Sequence, residues 1–154
     1  MKILIAVDGS AYSLAAARHV ARLAAALRAK PEVELLHVHA PIPYPGAAAA
    51  AGRQAIEDYQ RDTSREALAA AERQLRTAGI AFRSSWCVGD VATEVGRFAR
   101  KRGVDMVACG SHGRGALANL AMGSVATRLI ATVSVPVIVV TRKAAARARS
   151  QKAA

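Results

Sequence analysis

Hydrophobic residues fall along this chain in two kinds of stretch: short unbroken runs, and longer stretches in which apolar positions recur every three or four residues. The first run, Ile3-Leu4-Ile5-Ala6-Val7, stops at Asp8-Gly9-Ser10. An unbroken apolar run of this length predicts a strand, Lys2–Val7, buried on both faces. From Ala11 to about Ala29, Leu14, Ala17, Val20, Ala21, Leu23, Ala24 and Leu27 keep helical spacing. Ser10 is suited to cap that helix and Lys30-Pro31 to stop it. Val33–His39 reads as a second strand. Ala40-Pro41-Ile42-Pro43-Tyr44-Pro45-Gly46 has too many prolines for a helix or a central strand. Past the uninformative alanines 47–51, a second helix is expected from about Gly52 to Thr77, ended by Gly79. Its charges pair at helical spacing: Glu57 and Asp58 with Arg61, Asp62 and Glu66 among Arg61, Arg65 and Arg73, and Glu72 with Arg76. Ala81–Val88 is a third strand. Asp90 then caps a helix to about Lys101, which Arg102-Gly103 closes. Val104–Cys109 is a fourth strand, followed by a glycine-punctuated loop, 110–123, with room for a short helix at Ala116–Ala121. Ser124–Ala131 is a helix and Val135–Val140 a fifth strand.

Strands that alternate with helices argue for an α/β domain, an open five-stranded parallel sheet with helices on both faces, joined by right-handed crossovers. No repeat or linker interrupts residues 1–141, so they are expected to form one domain. Residues 142–154 read as a basic tail. At 154 residues and 53% hydrophobic, the chain is large enough to bury a core. Aromatics are only 4%, so that core is built from Ala, Val, Leu and Ile, and Trp86 is read as a packing residue. No apolar run approaches the roughly 20 residues that span a bilayer. The opening run is also shorter than the apolar region of a signal peptide, about 7–15 residues. A cytoplasmic protein is expected.

The net charge of +11 includes five tail cations, Arg142, Lys143, Arg147, Arg149 and Lys152, which leave +6 on residues 1–141. Basic proteins bind nucleic acids or anionic membranes. Here the arginines are scattered and several face acids, so a solvated surface is preferred, with weak polyanion attraction confined to the tail. Cys87 and Cys109 make no disulfide framework and are read as reduced thiols. His37 and His39 are expected on opposite sides of their strand, which argues against a shared metal site, and none is assigned.

Chemistry concentrates in Gly110-Ser111-His112-Gly113-Arg114-Gly115 and Gly123-Ser124, between the fourth strand and a helix. Ligands of open parallel sheets bind outside the carboxyl ends of strands, where strand order reverses. Glycines let backbone approach a ligand, and the first turn of a helix offers unpaired N–H groups to an anion. Ser124 adds a hydroxyl and Arg114 a charge, while His112 either touches phosphate or steadies the loop. A tight turn without a ligand would use the same glycines. No P-loop or dinucleotide fingerprint follows the first strand.

The spacing Gly110-x2-Gly113-x9-Gly123-Ser124 resembles the ATP-binding signature of the universal stress protein family. The opening Ile3–Ser10, the stretch Leu35–His39 and the run Val135–Val140 resemble it too, so the likeness extends over residues 2–141. The resemblance implies strand order 3-2-1-4-5, which would hold Cys87 and Cys109 three strand spacings apart, about 14 Å, too far for a disulfide. It implies that Asp8 meets the nucleoside end of ATP, that Ala6 lines the pocket and that Val38 touches the adenine. Gly110 and Gly113 would admit ribose and phosphates, leaving no room for a Cβ at Gly113 or Gly123. Gly123, Ser124 and Val125 would hold the phosphates, on which Mg²⁺ or Mn²⁺ would ride. Ala126 departs from relatives that carry a hydroxyl there. The resemblance further implies a homodimer through residues 135–141, unidentified protein partners, and a stress-response regulator or chaperone-like sensor with slow or no ATP hydrolysis and no assigned catalytic residue. The alternative is a nucleotide-free dimeric interaction module. Enzymes on related folds need a motif near the first strand that Val7-Asp8-Gly9-Ser10 does not supply.

Overall fold

The computed structural model describes residues 1–41, 52–115 and 122–141. Tyr44, the alanine run, the helix expected at Ala116–Ala121 and the tail lie outside them. Five parallel strands form one sheet: β1 (Lys2–Ala6), β2 (Glu32–His39), β3 (Phe82–Val88), β4 (Met106–Gly110) and β5 (Val137–Val140), in the order β3-β2-β1-β4-β5. Between them run α1 (Ala11–Ala26), α2 (Arg53–Thr77), α3 (Val91–Arg102) and α4 (Ser124–Thr132).

The strand period of two divides the core. Ile3, Ile5, Val33 and Leu35 face α1 and α2, where they meet Ala16, Val20, Leu68 and Leu75. Leu4, Leu36 and Val107 face α3 and α4, where they meet Val95, Ala99 and Leu129. Alanine-rich helix faces let α1 lie close to the sheet, with Ala15, Ala16 and Ala17 buried in a core poor in aromatics.

Ser10 and Asp90 cap α1 and α3 as expected, each accepting from the backbone N–H three residues on. Gly103 closes α3 with φ +60°, a conformation that favours glycine. Helix α1 stops at Ala26, three residues early, where Leu27 turns to an extended conformation. β4 runs one residue further than expected, so Gly110 is still a strand residue paired with Val140.

Three expectations are corrected. His37 and His39 share one face, as residues two apart on a strand must, with ring centroids 4.6 Å apart. Trp86 is not a core residue: it is 37% exposed and meets His39 edge-on. Glu72 does not pair with Arg76. It accepts from Ser84 Oγ at 2.6 Å, and Arg76 lies over the Phe82 ring instead. The neighbouring strand β3 outcompetes the helix's own i,i+4 contact.

At the amino end of the sheet the polar groups close on one another. Lys2 N–H donates to Asp105 at 2.6 Å and Lys2 Nζ to the Arg102 carbonyl at 2.9 Å. Glu34, 3% exposed, has Arg102 at 3.7 Å from one carboxylate oxygen, while the other oxygen, Oε2, has no hydrogen-bond partner. Cys87 and Cys109 are free thiols.

Candidate functional site

The order β3-β2-β1-β4-β5 reverses direction between β1 and β4, and the carboxyl ends of these two strands open a crevice. A cavity of about 610 Å³ fills it. Ala6, Asp8, Val38, Gly110, Gly113, Arg114, Gly123, Ser124 and Val125 all line this cavity. Residues from four separate stretches of sequence are thus brought to one place.

The floor is apolar, made by Ala6, Leu36 and Val38 of the central strands with Val91, Val95 and Cys109. Burial pushes the Cys109 thiol up to about 11, so it stays protonated and behaves as a small apolar wall. On the other side stands Asp8, just past β1. Its Oδ1 accepts from Ser10 N–H at 2.9 Å and its Oδ2 from Arg114 N–H at 3.2 Å. Burial alone would raise its pKa, but the donors from Ser10 and Arg114, with Ser13 beside them, outweigh it and hold the carboxyl below 3.8. Asp8 is therefore an ionised acceptor that ties the first turn of the fold to the glycine loop.

The glycines also stand close to neighbouring parts of the protein. A Cβ on Gly110 would stand 2.6 Å from Tyr12 Cβ and 2.7 Å from its backbone carbon. One on Gly113 would meet Asp8 Oδ2 at 2.8 Å, and one on Gly123 would meet Ser111 O at 3.2 Å and His112 Cα at 3.3 Å. The Tyr12 backbone holds position 110 to glycine, while a Cβ at Gly113 or Gly123 would need Asp8 or the Ser111–His112 backbone to give way. Gly9, with φ +81°, makes way for the Arg114 guanidinium in the same manner.

Gly123 donates its N–H to the Ser111 carbonyl at 2.8 Å and holds φ −73°, ψ 154°, an extended conformation from which α4 starts abruptly. No side chain caps this helix. The amides of Ser124, Val125 and Ala126 have no acceptor within the helix, so the cavity receives three donors at the positive end of a helix dipole. Arg114 adds a cation nearby. The arrangement suits an anion against one wall and a flat apolar group on the floor.

Several cavity residues had no part in the sequence reading of the site: Ser13, His37, Thr63, Val91 and Val95. His37 Nδ1 donates to the Val7 carbonyl at 2.7 Å, which leaves Nε2 as an acceptor in the neutral ring. Burial, with the charges of His39 and Arg114, holds its pKa below 6.5 against the opposing influence of Val7 and Asp8. The strand period, applied correctly, places His37 and His39 together; Val91 and Val95 carry the i,i+4 signal of one helix face. Asp8 is the sole carboxylate among the described lining residues, and no group of three or more His, Cys, Asp or Glu among the described residues is arranged to hold a metal ion.

The family model described as the universal stress protein family matches residues 1–141. The chain belongs to that family. It is 32% identical over 139 residues to the universal stress protein MJ0531 of Methanocaldococcus jannaschii, covering 90% of this chain and 81% of that one. Among solved structures, hypothetical protein MJ0577 superposes with a TM-score of 0.78 at 26% identity, covering 92% of this chain and 95% of the other. The universal stress protein of Archaeoglobus fulgidus, solved in complex with dAMP, superposes with a TM-score of 0.60 at 22% identity, covering 90% and 96%. Family membership accords with the sheet order, and no described helix is long and apolar enough to cross a membrane.

Proposed function

We propose that this universal stress protein binds an adenine nucleotide, ATP, in the cavity and acts as a stress-response regulator or chaperone-like sensor. The observation that carries the reading is the pairing, within one 610 Å³ cavity, of an apolar floor with the uncapped amino end of α4. The adenine takes the floor beside Ala6 and Val38. The ribose lies near Asp8, whose carboxylate accepts from hydroxyls. The phosphates meet the amides of Ser124, Val125 and Ala126, the Ser124 hydroxyl and Arg114. The dAMP complex of the Archaeoglobus protein supports this by a relative of the same fold. The donors suit the anion, and the described side chains form no cage for a divalent ion. Mg²⁺ or Mn²⁺ would therefore be held by the phosphates alone.

Hydrolysis is slow in this reading. Phosphoryl transfer to water needs a group that positions the water as well as charge stabilisation. The one carboxylate among the described lining residues, Asp8, is occupied by backbone donors and sits at the nucleoside end in this reading. The homodimer expected through residues 135–141 belongs to the same proposal: β5 is an edge strand in which Val137, Ile138 and Val139 are half-buried. Ile138→Lys yields monomers in light scattering if copies meet there, and an unchanged dimer places the contact elsewhere.

The test of the nucleotide reading is mass spectrometry of small molecules released from purified protein, followed by calorimetric titration of the emptied protein. ATP or another adenine nucleotide in the released fraction and saturable rebinding are the expected results. Protein that neither carries nor takes up a nucleotide would leave the nucleotide-free dimeric module as the function.

A further inference from the structure

The cavity occupies the carboxyl end of the sheet; the outer edge of β3 takes no part in it. β3 pairs with β2 over seven positions, Val33–His39 against Phe82–Val88, in unbroken register. Val33 N–H donates to the Ala81 carbonyl, and Gly89 N–H to the His39 carbonyl. These two bonds set the phase of the ladder. Residues 83, 85 and 87 turn their backbone groups toward β2, and the N–H and C=O groups of Phe82, Ser84, Trp86 and Val88 turn outward. Among the described residues no strand lies on that side.

Natural sheet edges are blunted by proline, lysine, bulges or shortness. β3 has no proline, lysine or bulge and runs for seven residues, with Arg83 its one charged side chain. Its outward positions include the chain's single tryptophan, with Trp86 37% and Val88 40% exposed. Cations outnumber acids around the edge, with Arg76 and Arg83 against Glu72. Arg83 is exposed on one face of the strand, and the Arg76 guanidinium lies 5.7 Å from the Phe82 ring on the other. Neither arginine is in an ion pair among the described residues. Glu72, the acid nearest them on α2, is engaged by the Ser84 hydroxyl. Two guanidinium groups thus flank one end of an open ladder, and an aromatic ring lies at the other.

We propose that the outer edge of β3 docks an extended acidic segment of another protein, which joins the sheet as an additional strand. Its backbone pairs with Phe82, Ser84, Trp86 and Val88, its carboxylates meet Arg76 and Arg83, and an apolar side chain covers Trp86. Charge complementarity with a chain of net charge +11 selects the acidic partner over a basic one. The proposal is independent of what the cavity binds.

Trp86 is the sole tryptophan, so its fluorescence reports the edge directly. The probe is a short peptide alternating valine with glutamate, and the control is the same peptide with lysine for glutamate. The glutamate peptide is expected to give a saturable blue shift and the lysine peptide none. Ser84→Pro removes an outward N–H without touching the β2 ladder, a substitution that edge strands tolerate, and is expected to abolish the shift. Ser84→Ala, which loses only the hydroxyl, retains it. Arg83→Glu, an exposed change that keeps the fold, weakens binding at least about tenfold, ~1.4 kcal/mol. Equal response to both peptides, or a shift that survives Ser84→Pro, would overturn the proposal. A shift produced by concentrating the protein alone would also overturn it, because a second copy would then occupy the edge.

Discussion

The two ends of the sheet treat buried charge in opposite ways. At the amino end, Lys2, Arg102 and Asp105 tie strands and helix to one another, yet Glu34 remains buried with one oxygen unpartnered. At the carboxyl end, Asp8 has donors on both oxygens, while the amides that open α4 have no acceptor within their helix. The first end is a closure that tolerates a poorly satisfied group. The second leaves the opening amides of α4 without a side-chain cap beside a cavity that their residues line. A carboxylate's burial therefore says little about its role; what its neighbours leave unpaired says more.

The largest expected effect tests how tightly the carboxyl end is built. Gly110→Ala places a methyl 2.6 Å from Tyr12 Cβ and should cost about 3 kcal/mol, at the upper end of over-packing costs. Gly103→Ala, at the amino end, meets nothing within 4 Å and should cost only the left-handed backbone penalty, about 1 kcal/mol. Urea denaturation of both variants measures the difference, and equal losses would remove the contrast.

Next come the two carboxylates. Asp8→Ala leaves the Ser10 and Arg114 amides without their acceptor and should lower stability by about 2 kcal/mol. Glu34→Leu replaces a poorly paired buried charge by an apolar side chain and should raise stability by about 1 kcal/mol, since Arg102 reaches solvent. Loss of stability in Glu34→Leu would show that the Arg102 contact is worth more than its 3.7 Å separation suggests.

The smallest effects are read from pH. Both His37 and Asp8 have folded pKa values below their ordinary ones, 6.5 and 3.8. The unfolded chain then binds protons more readily, so each group's stabilisation is complete above its ordinary value and is lost as pH falls through the lower folded value. Stability should begin to fall below pH 6.5 and fall further below 3.8. His37→Gln, whose amide keeps a donor for Val7, should reduce the first part, to which His19 also contributes, and Asp8→Asn should reduce the second, to which Asp90, held well below its ordinary value by Arg128, also contributes. A profile unchanged by either variant would sever the link between these groups and the carboxyl end.

Most of the fold was legible because it rests on periodicity. The five apolar runs and the glycine and aspartate signals between them are local, and each became a strand or a turn near its expected place. The residues expected at the site line one cavity, but the protein contacts of its glycines were not legible. Gly110, Gly113 and Gly123 signal close approach, yet sequence does not say to what, and the partners proved to be Tyr12, Asp8 and the Ser111–His112 backbone. Glu34 sat in a strand sequence with nothing to mark it as buried, because its burial comes from α3 folding across the sheet. The exposure of Trp86 could have been read from the expected strand order, which already placed the third strand at an edge.

The central claim is that the free amides at the start of α4 hold the phosphates of an adenine nucleotide. Ser124→Pro tests it most directly. Proline suits the first helical position, and Gly123, at φ −73° and ψ 154°, already has the extended conformation that a residue before proline requires. The variant should melt no lower than wild type while losing one amide donor and the hydroxyl together. Calorimetric titration with ATP should show wild-type binding weakened at least about a hundredfold, ~2.8 kcal/mol. A folded Ser124→Pro protein that binds ATP as tightly as wild type would contradict the account.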